Sequence, residues 1–284
     1  MYAAMIRQFV LEDAPEGDIT TKAIVGDEIL NYRGDFIAKQ DLVLSGIFLI
    51  KEIIKQEFPR LKLRVNKEDG SSVKKGCFLA MLSGPVQDIL VAERLCLNLL
   101  QRLSGIATFT KSVVYKAKPY GVNILDTRKT IPGYRREEKQ AVKHGGADNH
   151  RMSLSDQYLI KDNHIEVKGS VRAAVESVRT HQKKTKQKSL VEVEVKTKEQ
   201  FLEVLPMLPD IILLDNMTPE LITELVHKRN EDYPDKNNRP LLEISGGVTL
   251  DNLEQFLTLR VDRISMGALT HSAAAADIAL NIRP

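Results

Sequence analysis

The sequence has few of the features that mark secreted, metal-binding or membrane proteins. Only two cysteines, Cys77 and Cys96, occur in 284 residues, and neither has CxxC spacing or a clustered histidine. A disulfide framework or a zinc site is therefore not expected. No run approaches the roughly 20 apolar residues that span a bilayer, and the N-terminal stretch MYAAMIRQFVLEDA lacks a long apolar core. These absences predict no signal peptide, no membrane partner and a reducing, cytoplasmic setting.

A strong excess of charge is also missing. The chain has 41 basic and 38 acidic residues, which gives a net charge of +3. Nucleic-acid-binding proteins usually carry a broad basic face, so no nucleic-acid partner is expected. There is no GxxxxGK[ST] loop, no dinucleotide-binding fingerprint and no nucleophile elbow with a Ser-His-Asp order.

What the chain does have is a dense cationic segment at residues 123–165, NILDTRKTIPGYRREEKQAVKHGGADNHRMSLSDQYLIKDNHI. Its basic residues are interleaved with Gly, Pro, Asn and Asp, between short apolar runs. Turn residues of this kind mark connections between strands and helices, where α/β proteins keep their binding groups. The segment therefore predicts a pocket for a small molecule with several negative charges.

The first part of the chain mixes helix and strand without a regular alternation. Apolar spacing predicts a helix at LIKEIIKQEF and strands at RGDFIAKQ, LVLSG, LKLRVN and CFLAML, and EDGSSVKKGCFLAMLSG indicates a tight hairpin. A biotinyl or lipoyl carrier domain is disfavoured, because no lysine has the hairpin-tip neighbours of those carriers. A strong amphipathic helix follows at VQDILVAERLCLNLLQRL, and we expect Ser104 and Gly105 to end it. Arg94 on this helix is either a solvated cation or reaches a pocket of another subunit.

After Tyr120 the pattern becomes regular. Six short apolar strands, VNILD, YLIKD, LVEVEV, DIILLD, LLEIS and DRISMG, mostly alternate with helical segments. This alternation indicates parallel strands with right-handed crossovers, and six or more units favour a closed α/β barrel. Fewer than the usual eight units make the barrel irregular or incomplete. We predict an α+β domain with the linking helix at residues 1–108, and the barrel with the active site at 109–284. The C-terminal tail could pack back on the first domain.

The C-terminal ends of the barrel strands are where barrels carry their chemistry, and here they carry three kinds of group. The first is cationic. Arginine offers a planar fork that matches a carboxylate, and lysine offers a point charge, so several together suit a ligand with more than one carboxylate. Each cation alone could equally be surface charge. The group comprises Arg128, Lys129, His150, Arg151 and Lys161.

The second kind is acidic. Glu194 lies in VEVEV, and Asp215 ends the apolar strand IILLD. Buried carboxylates need paired cations or a metal. Two acids opposite a cationic pocket suit Mg²⁺ with a phosphate ligand, or sugar hydroxyls. The alternative is an internal ion-pair network with Lys161 or Arg151.

The third kind consists of two glycine loops, ISGGV and SMGAL, each predicted to lead into a helix. Backbone N–H groups at such positions bind phosphate, and barrels often place a phosphate site on their last two strands. The three groups together predict a phosphorylated sugar with Mg²⁺ at one end of the site and a polycarboxylate at the other.

These motifs resemble the quinolinate phosphoribosyltransferase family over nearly the whole chain. The resemblance is carried by EDAPEGDITT, AERLCLNLLQRLSGIAT, LDTRKTIPGYR, EKQAVKHGGADNHR, LIKDNHI, VEVEV, LLDNM, ISGGV and SMGALTHS, in this order. It implies an irregular, seven-strand-type α/β barrel with an N-terminal α+β sandwich-like domain. It also implies a homodimer or hexamer whose active sites are shared between subunits.

The implied enzyme is a pentosyltransferase of de novo NAD biosynthesis. It converts quinolinate and phosphoribosyl pyrophosphate, with Mg²⁺, to nicotinate mononucleotide, pyrophosphate and CO₂. The resemblance implies that Lys129, Lys161, Glu194 and Asp215 are catalytic and that Glu194 and Asp215 hold the metal, directly or through substrate or water. It further implies a set of binding residues: Arg94 from a neighbouring subunit, Thr127, Arg128, Lys129, His150, Arg151, Lys161, Glu194, Asp215, Ser245, Gly246, Gly247, Met266, Gly267 and Ala268.

One position departs from the family pattern, because Ala147 replaces the third glycine of GGGxNHR. An alanine fits there only if the backbone avoids positive φ, so we expect a small local adjustment and intact chemistry. Two rival functions stay open. A related phosphoribosyltransferase for nicotinate or another small acid would need fewer carboxylate-binding cations. A non-catalytic anion-binding barrel would not need Glu194 and Asp215.

Overall fold

The structure is a computed structural model that describes residues 2–284, with side chains from residue 5 onward. Its helices are α1 (Tyr2–Asp13), α2 (Ile19–Val25), α3 (Ile47–Glu57), α4 (Val86–Ala117), α5 (Arg135–His144), α6 (Asp162–Lys168), α7 (Val171–Thr185), α8 (Lys198–Val204), α9 (Pro219–Asp232), α10 (Leu253–Leu257) and α11 (Ala268–His271). Single 3₁₀ turns occupy Lys118–Tyr120 and Leu205–Met207. The strands are β1 (Asn31–Ala38), β2 (Leu42–Val43), β3 (Lys62–Val65), β4 (Ser72–Val73), β5 (Phe78–Pro85), β6 (Asn123–Leu125), β7 (Tyr158–Ile160), β8 (Val191–Val195), β9 (Ile211–Asp215), β10 (Leu241–Ser245), β11 (Arg263–Ser265) and β12 (Ile278–Arg283).

The chain forms two compact units that are not simple halves of the sequence. The first unit comprises Met1–Lys111, Glu137–Gly146 and Ala273–Pro284, and the second comprises Ser112–Arg136 and Ala147–Ser272. The division at residues 108 and 109 stays a prediction. In the described part of the chain, no helix combines the length and the apolar character that a membrane span requires.

The first unit is built on an antiparallel sheet in the order β12-β1-β5-β3. The last strand of the chain pairs with β1 in continuous register from Arg33↔Arg283 to Ala38↔Ile278. The hairpin predicted at residues 68–84 is wrong, because β4 pairs with β2, whereas β5 pairs with β1 and β3. Asp41 accepts hydrogen bonds from Lys74 Nζ and Lys75 N, and this holds the turn after β4 against the β1–β2 connection.

Helix α4 runs through the position where the sequence predicted its end. Ser104 and Gly105 lie inside it. The Ser104 hydroxyl accepts from Ser45 N at 3.0 Å and donates to Ser45 O at 3.1 Å. A Cβ atom at position 105 would lie 2.0 Å from Ala274 O. The glycine therefore permits a close backbone approach and does not terminate the helix.

The second unit contains a parallel sheet in the order β6-β11-β10-β9-β8-β7. The last of these strands along the chain, β11, pairs with the first, β6, and β6 and β7 are the two edges of the sheet. A parallel bridge between Leu125 and Asp148 adds a seventh segment on the other side of β6. All six predicted strands are present, and the predicted fold class of a barrel together with an α+β unit is confirmed.

Short polar caps set where the barrel helices begin. The hydroxyls of Ser170, Thr197 and Thr218 accept backbone N–H groups at the starts of α7, α8 and α9. Such caps satisfy amides that have no partner within the helix. Each helix therefore starts at a fixed residue, which also fixes its connection to the element before it.

Candidate active site

A cavity of about 640 Å³ opens at the C-terminal ends of the barrel strands in the second unit. The parallel register brings these ends together, for example Asp215 opposite Ser245. Every predicted binding residue except Arg94 lines the cavity. The lining residues that were predicted are Thr127, Arg128, Lys129, His150, Arg151, Lys161, Glu194, Asp215, Ser245, Gly246, Gly247, Met266, Gly267 and Ala268. Arg94 lies on α4 in the first unit, where it is exposed, and its role at a neighbour's site stays a prediction.

Two guanidinium groups dominate one side of the cavity. Arg128 Nη1 is buried and has no hydrogen-bond partner among the described residues. Burial, followed by the positive charge of Arg128, lowers the pKa of Arg151. Arg151 Nη1 donates one long hydrogen bond of 3.4 Å, to Gln157 O. A buried guanidinium donor without an acceptor is unfavourable, so this side of the cavity is suited to an anion.

Lys129 is exposed, and its backbone is held on both sides. Its N–H donates to Thr127 Oγ1 at 3.1 Å, and its carbonyl accepts from Thr270 Oγ1 at 2.7 Å. The aliphatic part of its side chain passes Gly267, where a Cβ atom would lie 2.9 Å from Lys129 Cδ. The glycine of SMGAL therefore makes room for the lysine as well as for a ligand.

The two predicted acids differ in their surroundings. Glu194 is buried and forms an ion pair with Lys161, with 2.7 Å between Oε2 and Nζ. This contact is the one that the ion-pair alternative expected for Glu194, and the metal role of Glu194 stays a prediction. Asp215 is half-buried at the end of β9 and accepts from Asn216 Nδ2 at 3.0 Å.

In the loop after β10, the backbone conformation and a close contact require glycine at position 246. Gly246 has a φ of +89°, and a Cβ atom there would lie 2.3 Å from Asn216 Oδ1. The loop after β11 enters α11 directly at Gly267. The loop after β10 passes through a turn before α10 begins. Each glycine loop is thus followed by a helix, as the sequence predicted. Ala147 is not among the described non-glycine residues with positive φ, which is the condition that its substitution requires.

Several cavity residues were not among the predicted binding residues. They are Leu159, Leu213, Asn216, Val248, Thr249, Ser265, His271 and Ser272. His271 and Ser272 end the motif SMGALTHS, one residue after SMGAL. Their signal was their position one helical turn after a strand-end loop. The strand residues Leu159 and Leu213 gave no signal, because an apolar strand residue at the rim of a cavity has the same sequence pattern as a core residue.

Beneath the cavity lies a buried cluster of charged side chains that the sequence did not reveal. His150 Nε2 is 3.0 Å from Glu192 Oε2 and 3.5 Å from Glu243 Oε1, and Arg263 Nε is 2.8 Å from Glu243 Oε2. Gln157 Nε2 donates to Glu192. We call His150, Glu192, Glu243 and Arg263 the buried cluster. Its members come from different strands and loops, so sequence spacing could not predict their contact.

The buried cluster retains a proton into alkaline solution. Burial lowers the pKa of His150, but the hydrogen bonds and charges of Glu192 and Glu243 outweigh this and raise the pKa to about 9. Burial also raises the pKa of Glu192. Because His150 Nδ1 accepts the Arg151 N–H at 2.8 Å, a second ring proton would have to displace that contact, so His150 and Glu192 share the proton as a coupled pair.

His150, Glu192 and Glu243 place ligand atoms within 4.8 Å of one another, as a metal site would. Their carboxylates already contact Arg263 and Gln157, however. A cation at this position would have to displace the guanidinium from Glu243. We therefore interpret the group as an ion-pair cluster.

The fold and the cavity define an α/β-barrel site for an anionic ligand, and comparison with known proteins gives the family. The model of the quinolinate phosphoribosyl transferase N-terminal domain matches residues 18–104, and that of the C-terminal domain matches residues 106–281. The chain belongs to the quinolinate phosphoribosyltransferase family. The family and the enzyme class predicted from the sequence, a phosphoribosyltransferase, are thereby confirmed.

Individual relatives match over nearly the whole chain. A probable nicotinate-nucleotide pyrophosphorylase [carboxylating] of Methanothermobacter thermautotrophicus is 38% identical, covering 98% of each chain. Quinolinate phosphoribosyltransferase [decarboxylating] 1 of Nicotiana glauca is 40% identical over 98% of this chain and 81% of its own. The solved nicotinate-nucleotide pyrophosphorylase of Francisella tularensis superposes with a TM-score of 0.90 at 33% identity, covering 99% of this chain and 96% of that one.

Proposed function

We propose that this protein converts quinolinate and phosphoribosyl pyrophosphate to nicotinate mononucleotide, pyrophosphate and CO₂, a step of de novo NAD biosynthesis. The observation that carries the proposal is the unpartnered, buried Nη1 of Arg128, in a cavity that also contains Arg151. Two neighbouring guanidinium groups repel each other unless an anion lies between them. A rigid dicarboxylate offers each of them an acceptor in bidentate geometry.

The quinolinate end of the site comprises Arg128, Arg151, His150 and Lys161. In this proposal the arginines hold the carboxylate that is retained, and they fix the plane of the pyridine ring. Lys161 is already paired with Glu194. A substrate carboxylate can share this lysine, because an ammonium group has three donors.

The phosphoribosyl pyrophosphate end comprises Lys129, the two glycine loops, Glu194 and Asp215. In the loops, Ser245 to Gly247 and Met266 to Ala268 present backbone amides where the phosphates would lie. In this proposal Glu194 and Asp215 hold Mg²⁺. The pair supplies oxygen donors but no complete cage, which fits an ion that keeps waters and binds substrate phosphates. When bound, the metal supplies positive charge next to the departing pyrophosphate.

The chemistry then follows from how the residues orient the two substrates. The pyridine nitrogen forms a bond to C1 of the ribose as the bond from C1 to pyrophosphate breaks, and the electron pair leaves with pyrophosphate. Lys129 stabilises the charge that develops there. The ring nitrogen becomes cationic, so it stabilises the electron pair left at C2 when the adjacent carboxylate departs as CO₂. A proton then takes the place of CO₂ at C2. Fixed orientation of the two reactants contributes several kcal/mol to the rate enhancement.

Assembly and location are part of the same proposal. We propose a homodimer or a hexamer, in which Arg94 of one subunit completes the quinolinate end of its neighbour's cavity. Arg94 is exposed and hence available to such a contact. We propose a cytoplasmic location, since Cys77 and Cys96 are both free thiols.

The test is an assay of the purified protein with quinolinate, phosphoribosyl pyrophosphate and Mg²⁺, following carboxyl-labelled CO₂ and nicotinate mononucleotide. Both products should form in equal amounts, and chelation of the metal should stop both. Consumption of nicotinate without CO₂ release would support the nicotinate-specific rival. Binding of quinolinate without turnover would support a non-catalytic barrel.

A further inference from the structure

His150 is held at every polar atom that its ring and amide present. Its backbone N–H donates to Asp126 Oδ1 at 2.8 Å. Its Nδ1 accepts the Arg151 N–H at 2.8 Å, and its Nε2 faces Glu192 and Glu243 of the buried cluster. Only 8% of the residue is exposed. The ring therefore has a single orientation and no ring nitrogen turned towards the cavity.

This arrangement couples the buried cluster to Arg151. The hydrogen bond to Nδ1 comes from the peptide N–H of Arg151, so the orientation of the imidazole sets where the Arg151 backbone lies. The side chain of Arg151 lines the cavity. Rotation of the imidazole would break this hydrogen bond, so the peptide that carries the Arg151 side chain would lose the contact that fixes its position. Shifts of about 1 Å at a binding group are enough to lower turnover by about a hundredfold.

The buried cluster is also unusual for a barrel interior. Such interiors are normally filled by branched apolar side chains. Glu192 and Glu243 are fully buried, and replacing buried ion pairs by well-packed apolar residues is often neutral or stabilising. Stability alone therefore gives no reason for four ionisable groups directly beneath the cavity. A need to fix the orientation of a neighbouring binding residue does explain them, because residues that hydrogen-bond to a binding residue commonly set its orientation.

We propose that Glu192, Glu243 and Arg263 are positioning residues for quinolinate recognition, which fix the His150 ring and through its Nδ1 the peptide of Arg151. His150 then serves mainly to place Arg151, and the guanidinium makes the contact with the substrate carboxylate. Arg263 forms a close ion pair with Glu243 that lacks hydrogen-bond geometry, and Glu192 and Glu243 together face Nε2. The inference rests on the proposed function and specifies how the quinolinate end of that site is built.

The test compares Glu192→Leu with Glu192→Gln. Leucine removes the acceptor for Nε2–H, whereas glutamine keeps an oxygen of similar reach. For Glu192→Leu we expect the KM for quinolinate to rise about 10- to 100-fold, while the KM for phosphoribosyl pyrophosphate stays within about twofold. Glu192→Gln should restore most of the quinolinate affinity. A general loss of structure would instead raise both KM values or lower the active fraction. Glu192→Gln would then not restore the KM for quinolinate alone.

A matched control is available in the same unit. Arg229 is fully buried and pairs with Asp262, whose carboxylate also accepts from Leu242 N. Neither Arg229 nor Asp262 lines the cavity. Asp262→Asn should lower the melting temperature, as loss of a buried ion pair does, and leave both KM values unchanged.

The outcomes separate the two proposals. If the wild-type protein neither binds nor converts quinolinate, the proposed function fails. If the wild type is active and folded Glu192→Leu keeps the wild-type KM for quinolinate, the positioning proposal is wrong. Should Glu192→Leu not be recovered as folded protein, Glu243→Gln decides by the same two KM values, because it weakens both the Arg263 contact and the second carboxylate at Nε2.

Discussion

At the scale of single residues, the cavity depends on cations whose charge is not fully neutralised by protein acids. Lys161 is paired with Glu194, but Arg128 keeps a buried donor without an acceptor among the described residues. In the described part of the chain, the guanidinium of Arg151 donates a long hydrogen bond to a carbonyl group. The chain thus keeps two planar donors available at the expense of stability, as is common for sites that must bind an anion.

Arg151→Ala should lower kcat as well as kcat/KM. A charge-assisted hydrogen bond contributes about 1.5–3 kcal/mol, so we expect kcat/KM for quinolinate to fall about 10- to 100-fold or more. The expected loss in kcat follows because the arginine holds the retained carboxylate while the other departs. Arg151→Lys should restore little, because lysine lacks the planar fork. Steady-state kinetics with each substrate varied would measure this.

The control for the lost charge is Arg172→Ala, at an exposed position of α7 that does not line the cavity. It should leave the kinetics unchanged. A raised KM with an unaltered kcat in Arg151→Ala would contradict the prediction, since it would mean that the arginine binds ground state and transition state equally.

The buried cluster should make stability depend on pH. Glu192 and Glu243 raise the pKa of His150 in the folded protein to about 9, above its ordinary value of 6.5, so the coupled pair of His150 and Glu192 binds a proton in the folded state that the unfolded state has released. The resulting stabilisation is complete below about pH 6.5 and is lost as the pH rises through about 9. We expect the difference in unfolding free energy between wild type and His150→Gln to shrink by about 1–3 kcal/mol between pH 6 and 9.5.

Urea unfolding at several pH values would measure that difference. His227→Gln, which alters an exposed histidine of α9, controls for the substitution itself. A difference that grows with rising pH would show that the cluster is held in its deprotonated form, contrary to this prediction.

At the scale of elements, α4 shows why glycine inside a helical pattern is ambiguous. Gly105→Ala should destabilise the protein although alanine favours helix, because the added Cβ would lie 2.0 Å from Ala274 O. Overpacking of this kind costs about 1–3 kcal/mol or more. Asn98→Ala, at an exposed position of the same helix, should change stability by less than about 0.5 kcal/mol. Urea unfolding of both variants would decide, and a stabilised Gly105→Ala would refute the close-approach interpretation.

The loop after β10 gives a second prediction at this scale. Gly246→Ala combines a φ of +89° with a clash against Asn216 Oδ1, so the loop must move away from the cavity rim. We expect the KM for phosphoribosyl pyrophosphate to rise about 10- to 100-fold. Gly121→Ala is the control, since Gly121 has a φ of +67° but no atom within 4 Å of the added Cβ. It should lose about 1 kcal/mol of stability and keep its KM.

The sequence predicted the barrel well because each strand end has a local signature. An apolar run followed by a polar residue, as at Asp126 and Asp215, needs no knowledge of distant residues, and the register of parallel strands then brings those ends together. The end of α4 was predicted wrongly because the reason for Gly105 is a carbonyl group at Ala274. The pairing of Glu192 with His150 was missed for the same reason. Both depend on partners that are far away along the chain.

At the scale of the whole molecule, the chain builds its first unit from both of its ends. β12 pairs with β1, and Arg102 on α4 donates to Glu138 on α5 and to Ala273 O. The predicted shared active site requires that this unit also present Arg94 to a second copy of the chain. Activity measurements on mixed variants can therefore test whether Arg94 acts at the site of a second subunit.

Mixing two inactive variants should restore activity if sites are shared between subunits. Arg94→Ala and Arg151→Ala should each be nearly inactive alone. In a two-fold symmetric dimer that contains one subunit of each kind, one site combines an intact Arg151 with an intact Arg94, and the other site lacks both. Random exchange of subunits therefore predicts recovery of roughly a quarter of wild-type activity. The control is a mixture of Arg151→Ala with Arg128→Ala, which alter the same cavity and should not complement. Absence of recovery after proven subunit exchange would mean that Arg94 does not act across the interface.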